Sequence, residues 1–137
     1  MKKIKILNVI VFIIFSLSCE NRTYIEILKK EYIPKKLEGG IDSFELWKGS
    51  ILRLQIKNKS KTEKISVHTN YKILMQIRKG DYFKKIANSN KCIIKRGDSI
   101  IKIDCNQFTD EERDSLGKIE EWKPEEKNSW RLSRTDK

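Results

Sequence analysis

Three cysteines and one histidine are the side chains of this chain best equipped for chemistry, and their spacing limits what that chemistry can be. His68 stands alone, so an HExxH zinc site, which needs two histidines one helical turn apart, is excluded. A Ser-His-Asp triad needs only one histidine, but there is no G-x-S-x-G elbow and nothing sets a nucleophile beside His68, which reads as a strand or loop residue. No two cysteines are spaced Cys-x-x-Cys, so neither a redox dithiol nor a zinc knuckle is supported. Paired carboxylates occur at Asp110 to Glu112 and at Glu120-Glu121, where they crowd onto one solvated helix surface. No glycine-rich loop is built to cradle a phosphate. The expectation is a protein that is not an enzyme and has no cofactor and no metal.

Cys92 and Cys105 enclose the stretch CIIKRGDSIIKIDC. Ile93-Ile94 and Ser99 to Asp104 read as strands, and Arg96-Gly97-Asp98 as the turn between them. Side chains alternate across a strand, so Cys92 and Ile94 share one face, as do Ile101, Ile103 and Cys105. A two-residue turn at Gly97-Asp98 sets Ile94 opposite Ile101 and Cys92 opposite Ile103, with Cys105 diagonal to Cys92 on the same face. In an oxidising compartment these two cysteines are expected to form a disulfide adding about 2–4 kcal/mol. The alternative is two buried thiols acting as small apolar side chains. Arg96-Gly97-Asp98 is also a tripeptide that integrins read, but a tight turn accounts for all three residues.

The third cysteine has a different setting. A basic head (Lys2, Lys3, Lys5) leads into an apolar run from Ile6 to Leu17, interrupted by Asn8 and Ser16. This run is shorter than the roughly 20 residues a membrane-spanning helix needs. Basic head, short apolar run and small residue are the parts of a secretory signal peptide. The segment FSLSC resembles the lipobox of bacterial lipoproteins, although Ser16 stands where the lipobox usually carries a large aliphatic residue. The resemblance implies a cut between Ser18 and Cys19, lipid on Cys19, and a protein held on the cell membrane or outer membrane, facing the periplasm or cell surface. An ordinary secretory signal cut nearby and a short uncut anchor are the alternatives.

Export changes how the charge is read. The whole chain has a formal net charge of +11. Residues 1–18 hold three lysines and no acids, so residues 19–137 carry 27 basic and 19 acidic side chains, a net +8. An exported basic protein meets anionic lipid, acidic glycans or an acidic protein sooner than chromosomal DNA, and the aromatics form no stacking strip of the RNA-binding kind. The expected partners are the membrane, through the lipid anchor, and a protein or acidic envelope component, with no nucleic acid. The bases best placed for contact flank loops and turns: Lys57, Lys59, Lys61 and Lys64, then Arg78 and Lys79, then Lys95 and Arg96. The plainer reading is a solvated lysine surface that guards strand edges.

The elements that would position these residues follow from hydrophobic period. Residues 1–18 read as the signal peptide and 19–43 as the lipidated cysteine with a tether, marked by Pro34 and Gly39-Gly40, with one short strand or helical turn near Tyr24 to Leu28. Residues 44–123 read as a β domain with a C-terminal helix, and 124–137 as a polar tail in which Trp130 docks back. In SILRLQIKN, Leu52, Leu54 and Ile56 alternate with Arg53, Gln55 and Lys57, the pattern of a strand with one wet face. Asn58 to Lys64 reads as a loop, ISVH as a strand, and YKILMQI as a strand with Tyr71, Ile73, Met75 and Ile77 on one face. YFKKIA extends between the turns RKGD and NSNK. IRKGDYFKKI and IKRGDSIIKI look alike because both are hairpins built on Gly-Asp. Thr109 and Glu112 stand at capping-box spacing, opening a helix whose stripe is Leu116, Ile119 and Trp122 and which stops before Pro124.

Successive short strands argue for a mainly β, antiparallel fold. ILRLQIKNKSKTEKISV and IIKRGDSIIKI resemble strand pairs of immunoglobulin-like bacterial envelope domains, which implies a β-sandwich. A small meander barrel is the second choice. The functional expectation is a small lipid-anchored cell-envelope protein that acts by binding. The alternatives are a periplasmic immunity-type protein that neutralises a toxin and a secreted soluble domain with an unrecognised enzymatic activity.

Overall fold

The computed structural model describes residues 23–127 and the backbone of Arg131–Leu132. Three short helices and seven strands make up this part of the chain. Helix α1 (Tyr24–Ile27) runs on into a π-helical turn (Leu28–Tyr32). Next come β1 (Leu37–Trp47), β2 (Ile51–Asn58), β3 (Lys61–His68), α2 (Tyr71–Leu74), β4 (Tyr82–Lys85), β5 (Lys91–Arg96), β6 (Ser99–Asp104), α3 (Asp110–Leu116) and β7 (Arg131–Leu132). The fold is mainly β, as the strand patterns imply.

All strands pair antiparallel in one sheet of order β3-β2-β1-β4-β5-β6-β7. β1 joins two wings: Gly40 to Trp47 pair with β2, and Leu37 to Gly40 pair with β4. Gly39 makes the crossing possible. It sits at φ +156°, and a Cβ there would stand 2.4 Å from the Lys57 carbonyl oxygen. The sheet bends until the His68 N–H, at the end of β3, reaches the Cys105 carbonyl beyond the end of β6 (2.8 Å). Both wings thus share one core, with Leu52, Leu54, Ile56 and Val67 from one side and Phe83, Cys92, Ile94, Ile101 and Ile103 from the other.

Several expected boundaries move. Residues up to Ser43 do not form a tether throughout: α1 opens on a capping box between Thr23 and Glu26, Leu28 is buried, and Leu37 and Ile41 belong to the core. The expected loop from Asn58 to Lys64 shrinks to a two-residue turn at Lys59-Ser60, closed by the pair Asn58–Lys61, because Lys59 takes the left-handed conformation (φ 54°) that such turns need. YKILMQI is not a strand. Asn70 caps α2 by accepting the Lys72 N–H (2.9 Å), and burial falls on Leu74 and Ile77, three apart, while Tyr71 and Met75 stay exposed. The Thr109–Glu112 capping box is present, but α3 ends at Leu116, because Gly117 (φ 79°) terminates it well before Trp122. The tail is not wholly separate, since Arg131–Leu132 pair with β6. Trp130 lies outside the described residues.

Candidate functional site

The cysteine hairpin has the register that side-chain parity predicts: Cys92 faces Ile103, Ile94 faces Ile101, and Gly97-Asp98 makes the turn. Cys92 and Cys105 form a buried disulfide with a Cα–Cα separation of 5.3 Å. Backbone bonds hold the bridge in place. Cys105 donates its N–H to the Asn90 carbonyl (2.7 Å), and the Trp122 indole N–H donates to the Cys92 carbonyl (3.2 Å). Asn90 is fully buried, and its side chain bonds Asn106 N–H, Asn106 C=O and a Glu121 carboxylate oxygen. Cys19 lies outside the described residues.

Polar side chains make further fixed contacts in this wing. Asp81 is buried, and Arg96 grips it from two nitrogens (2.8 and 2.7 Å) while a guanidinium nitrogen also donates to the Gln76 carbonyl (2.6 Å). Burial alone would raise the Asp81 carboxyl. The hydrogen bonds from Arg96 and from the Arg78 backbone outweigh it and hold the group below the usual carboxylate range. Lys85 faces inward from β4 beside Phe83, fully buried, and its ammonium donates to the carbonyls of Ile33, Ser89 and Ile86 (3.1, 2.9 and 3.2 Å). Burial, aided by the nearby charge of Lys35, lowers its pKa to about 8. The amine is enclosed, so it serves as a bracket between the segment before β1 and the turn before β5, with no access for a substrate.

The basic residues singled out from the sequence separate by environment. Lys57 on β2, Lys59 in the hairpin turn and Lys64 on β3 are exposed, and among the described residues no carboxylate lies in ion-pair range of them. Lys61 is paired with Glu63 (3.0 Å). Lys79 stands 4.0 Å from Asp42, and Arg78 is exposed beside it. Lys95 lies over the Tyr82 ring, 5.9 Å from its centroid. Arg96 stays partly exposed, with its guanidinium held by Asp81. The shared rungs Thr62–Lys57–Gly40–Tyr82–Lys95 place Lys57 and Lys95 on one outer face of the sheet, separated by Gly40 and Tyr82. A groove of about 420 Å³ crosses the β1–β3 wing, lined by Ser43, Glu45, Arg53, Gln55, Lys64 and Ser66 among others.

Two aromatic–cation clusters were not legible in the sequence. Trp47 lies beneath Lys48 and Arg53 (4.2 and 4.3 Å to the ring centroid), and Trp122 beneath Lys91 and Lys102 (5.0 and 4.9 Å). The Trp47–Arg53 pair follows from the β1–β2 register, which sets Trp47 two rungs from Arg53, diagonal to it on the same face. That register could be found only once β1 was known. His68 is half-buried at the end of β3, opposite Ile51, and contributes its backbone N–H to the sheet closure. Among the described residues no group of three or more His, Cys, Asp and Glu side chains is arranged to hold a metal ion, and no helix is long and apolar enough to cross a membrane. Compared with protein-family models, with curated proteins and with solved structures, the chain matches none of them.

Proposed function

We propose that this chain is a small bacterial cell-envelope protein, anchored through lipid on Cys19, which works by binding an acidic partner on the basic face of the β1–β3 wing. The observation that carries the reading is the set of exposed lysines Lys57, Lys59 and Lys64 on adjoining strands and their turn, with no carboxylate in ion-pair range among the described residues. Cations left unpaired cost nothing in water and supply long-range attraction for an oppositely charged surface. The buried disulfide suits an exported domain. Fixed side-chain chemistry elsewhere, at Asp81–Arg96 and around Lys85, is enclosed in structural contacts.

Two measurements test the proposal. Intact mass and membrane fractionation of the protein from its own cells should find a lipidated N-terminus at Cys19, and Cys19→Ala should leave precursor or a soluble product. A soluble wild-type protein whose N-terminus is not Cys19 would remove the anchor. Crosslinking in the envelope should capture one acidic protein, and the triple reversal Lys57→Glu, Lys59→Glu, Lys64→Glu should lose it. Substrate turnover that depends on His68 would overturn the binding role.

A further inference from the structure

Sheet edges carry unused N–H and C=O groups, which proteins normally cover. β3 is covered: the Lys64 and Ser66 carbonyls accept from Lys35 Nζ and the Tyr32 hydroxyl (3.1 and 2.8 Å), and His68 donates to Cys105. β6 carries β7. The second half of β1 differs. Asn58–Lys61 closes the two-residue hairpin, so the even residues of β2 bond β3 and the odd ones bond β1. Ser43, Glu45 and Trp47, opposite Gln55, Arg53 and Ile51, therefore direct their backbone groups at β2. Phe44 and Leu46 direct theirs out of the sheet, where no strand meets them among the described residues. Ile41 gives the same answer from the other side. Its N–H and C=O go to Asp81 and Gly80, away from β2, and the bulge between Ile41 and Ser43 shifts the parity by one.

We infer that this edge is the docking site for an extended acidic strand of the partner protein, added to β1 through main-chain hydrogen bonds. Phe44 and Leu46 lie on the same face as their pair partners Leu54 and Leu52, yet stay 43% and 39% exposed, so apolar side chains of an added strand would extend the core. On the opposite face the Lys48 and Arg53 cations stand over Trp47 and outnumber the one carboxylate of that stretch, Glu45, the pair partner of Arg53. Lys79, 4.0 Å from Asp42, marks the far end of the edge. Side chains alternate along a strand, so the matching segment alternates apolar with acidic residues. A second copy of this chain fits less well. Its pairing would bring two strongly basic domains together. The inference rests on the binding role proposed above and adds the partner's conformation and the strand it joins.

The probe is a soluble peptide of alternating valine and glutamate, with a valine–lysine peptide of equal length as control, added to the full chain. The glutamate peptide should bind at least about tenfold more tightly and slow hydrogen exchange at the Phe44 and Leu46 amides. Phe44→Pro, which removes an outward N–H and no β1–β2 bond, should abolish both effects. Leu46→Glu, whose fold is checked by circular dichroism, should do the same if proline disturbs the strand. Equal binding of the two peptides, or protection that falls elsewhere, overturns the inference. So does protection in the free protein that grows with its concentration, which would give the edge to a second copy. In envelope crosslinking, a partner lost on reversal of Lys57, Lys59 and Lys64 but kept by Phe44→Pro leaves the binding role standing and rejects strand addition. A partner kept by every variant rejects the basic β1–β3 face as its binding surface.

Discussion

The β4–β6 wing and the β1–β3 wing pack against one core, but polar groups are used oppositely in the two. In the first, a disulfide, the Asp81–Arg96 pair, the Asn90 network and the Lys85 bracket all turn inward, and Trp122 and Lys127 fasten the C-terminal segment over Cys92 and Asp104. In the second, apolar side chains do the holding, Tyr32 and Lys35 seal one edge, and the cations Lys57, Lys59 and Lys64 point into water. Burying polar groups with full partners fixes a single arrangement. Leaving charges solvated contributes little to stability and leaves them free for contact. The difference divides the molecule into a wing that holds the fold and the wing for which partner binding is proposed.

Breaking the holding wing should cost most. Arg96→Ala strands the buried Asp81 carboxylate and should destabilise the domain by about 3 kcal/mol in denaturant unfolding. The wild-type Asp81 contribution is present above the unfolded carboxylate pKa and is lost as pH falls through the lowered folded value, so the variant should lose that part of its acid dependence. Removing the disulfide in Cys92→Ala with Cys105→Ala should cost about 2–4 kcal/mol, read as a lower melting temperature insensitive to reductant.

Lys85 offers an effect of intermediate size that needs no mutation. Its folded pKa of about 8 lies below the ordinary 10.5, so between these values the unfolded chain binds more protons and stability rises with pH. The gain from pH 8 to 10 should be on the order of 2 kcal/mol. Lys85→Met should show no such rise. The range stops at pH 10 because burial raises the Tyr32 phenol, and tyrosines ionising in the unfolded chain then work against the fold. At the small end, reversing Lys57, Lys59 and Lys64 together should leave unfolding within about 0.5 kcal/mol per site of wild type, as surface changes usually do. A larger loss would mean that the contact wing also holds the fold.

The two wings also differ in how legible they were. The cysteine hairpin was readable to the residue, because period-two parity and a Gly-Asp turn are both local, and the Thr109–Glu112 cap was readable for the same reason. β1 was hidden by Gly39-Gly40, which resemble a linker. Here one of them is the close crossing against the Lys57 carbonyl. YKILMQI carries apolar residues at both periods, and the Asn70 cap decides for a helix. Lys85 and Arg96 look like surface bases in a string of bases. Only the carbonyls of Ile33, Ile86 and Ser89 reveal Lys85 as interior, and only the distant Asp81 reveals Arg96 as the half-buried member of an ion pair. Of the proposed contact surface, the exposure of Lys57, Lys59 and Lys64 was readable, while the open β1 edge required the register.

The central claim is that the β1–β3 wing recognises an acidic partner by charge. Its most direct test is the association rate of the crosslink-identified partner with wild-type protein and with the Lys57, Lys59, Lys64 reversal, measured from 0.05 to 1 M salt, a range over which the Debye length falls from above 10 Å to roughly 3 Å. The account predicts a wild-type rate that drops steeply with salt and a reversed variant that is slow at every salt concentration, with both proteins melting alike. Rates that ignore salt and are equal in the two proteins would contradict it.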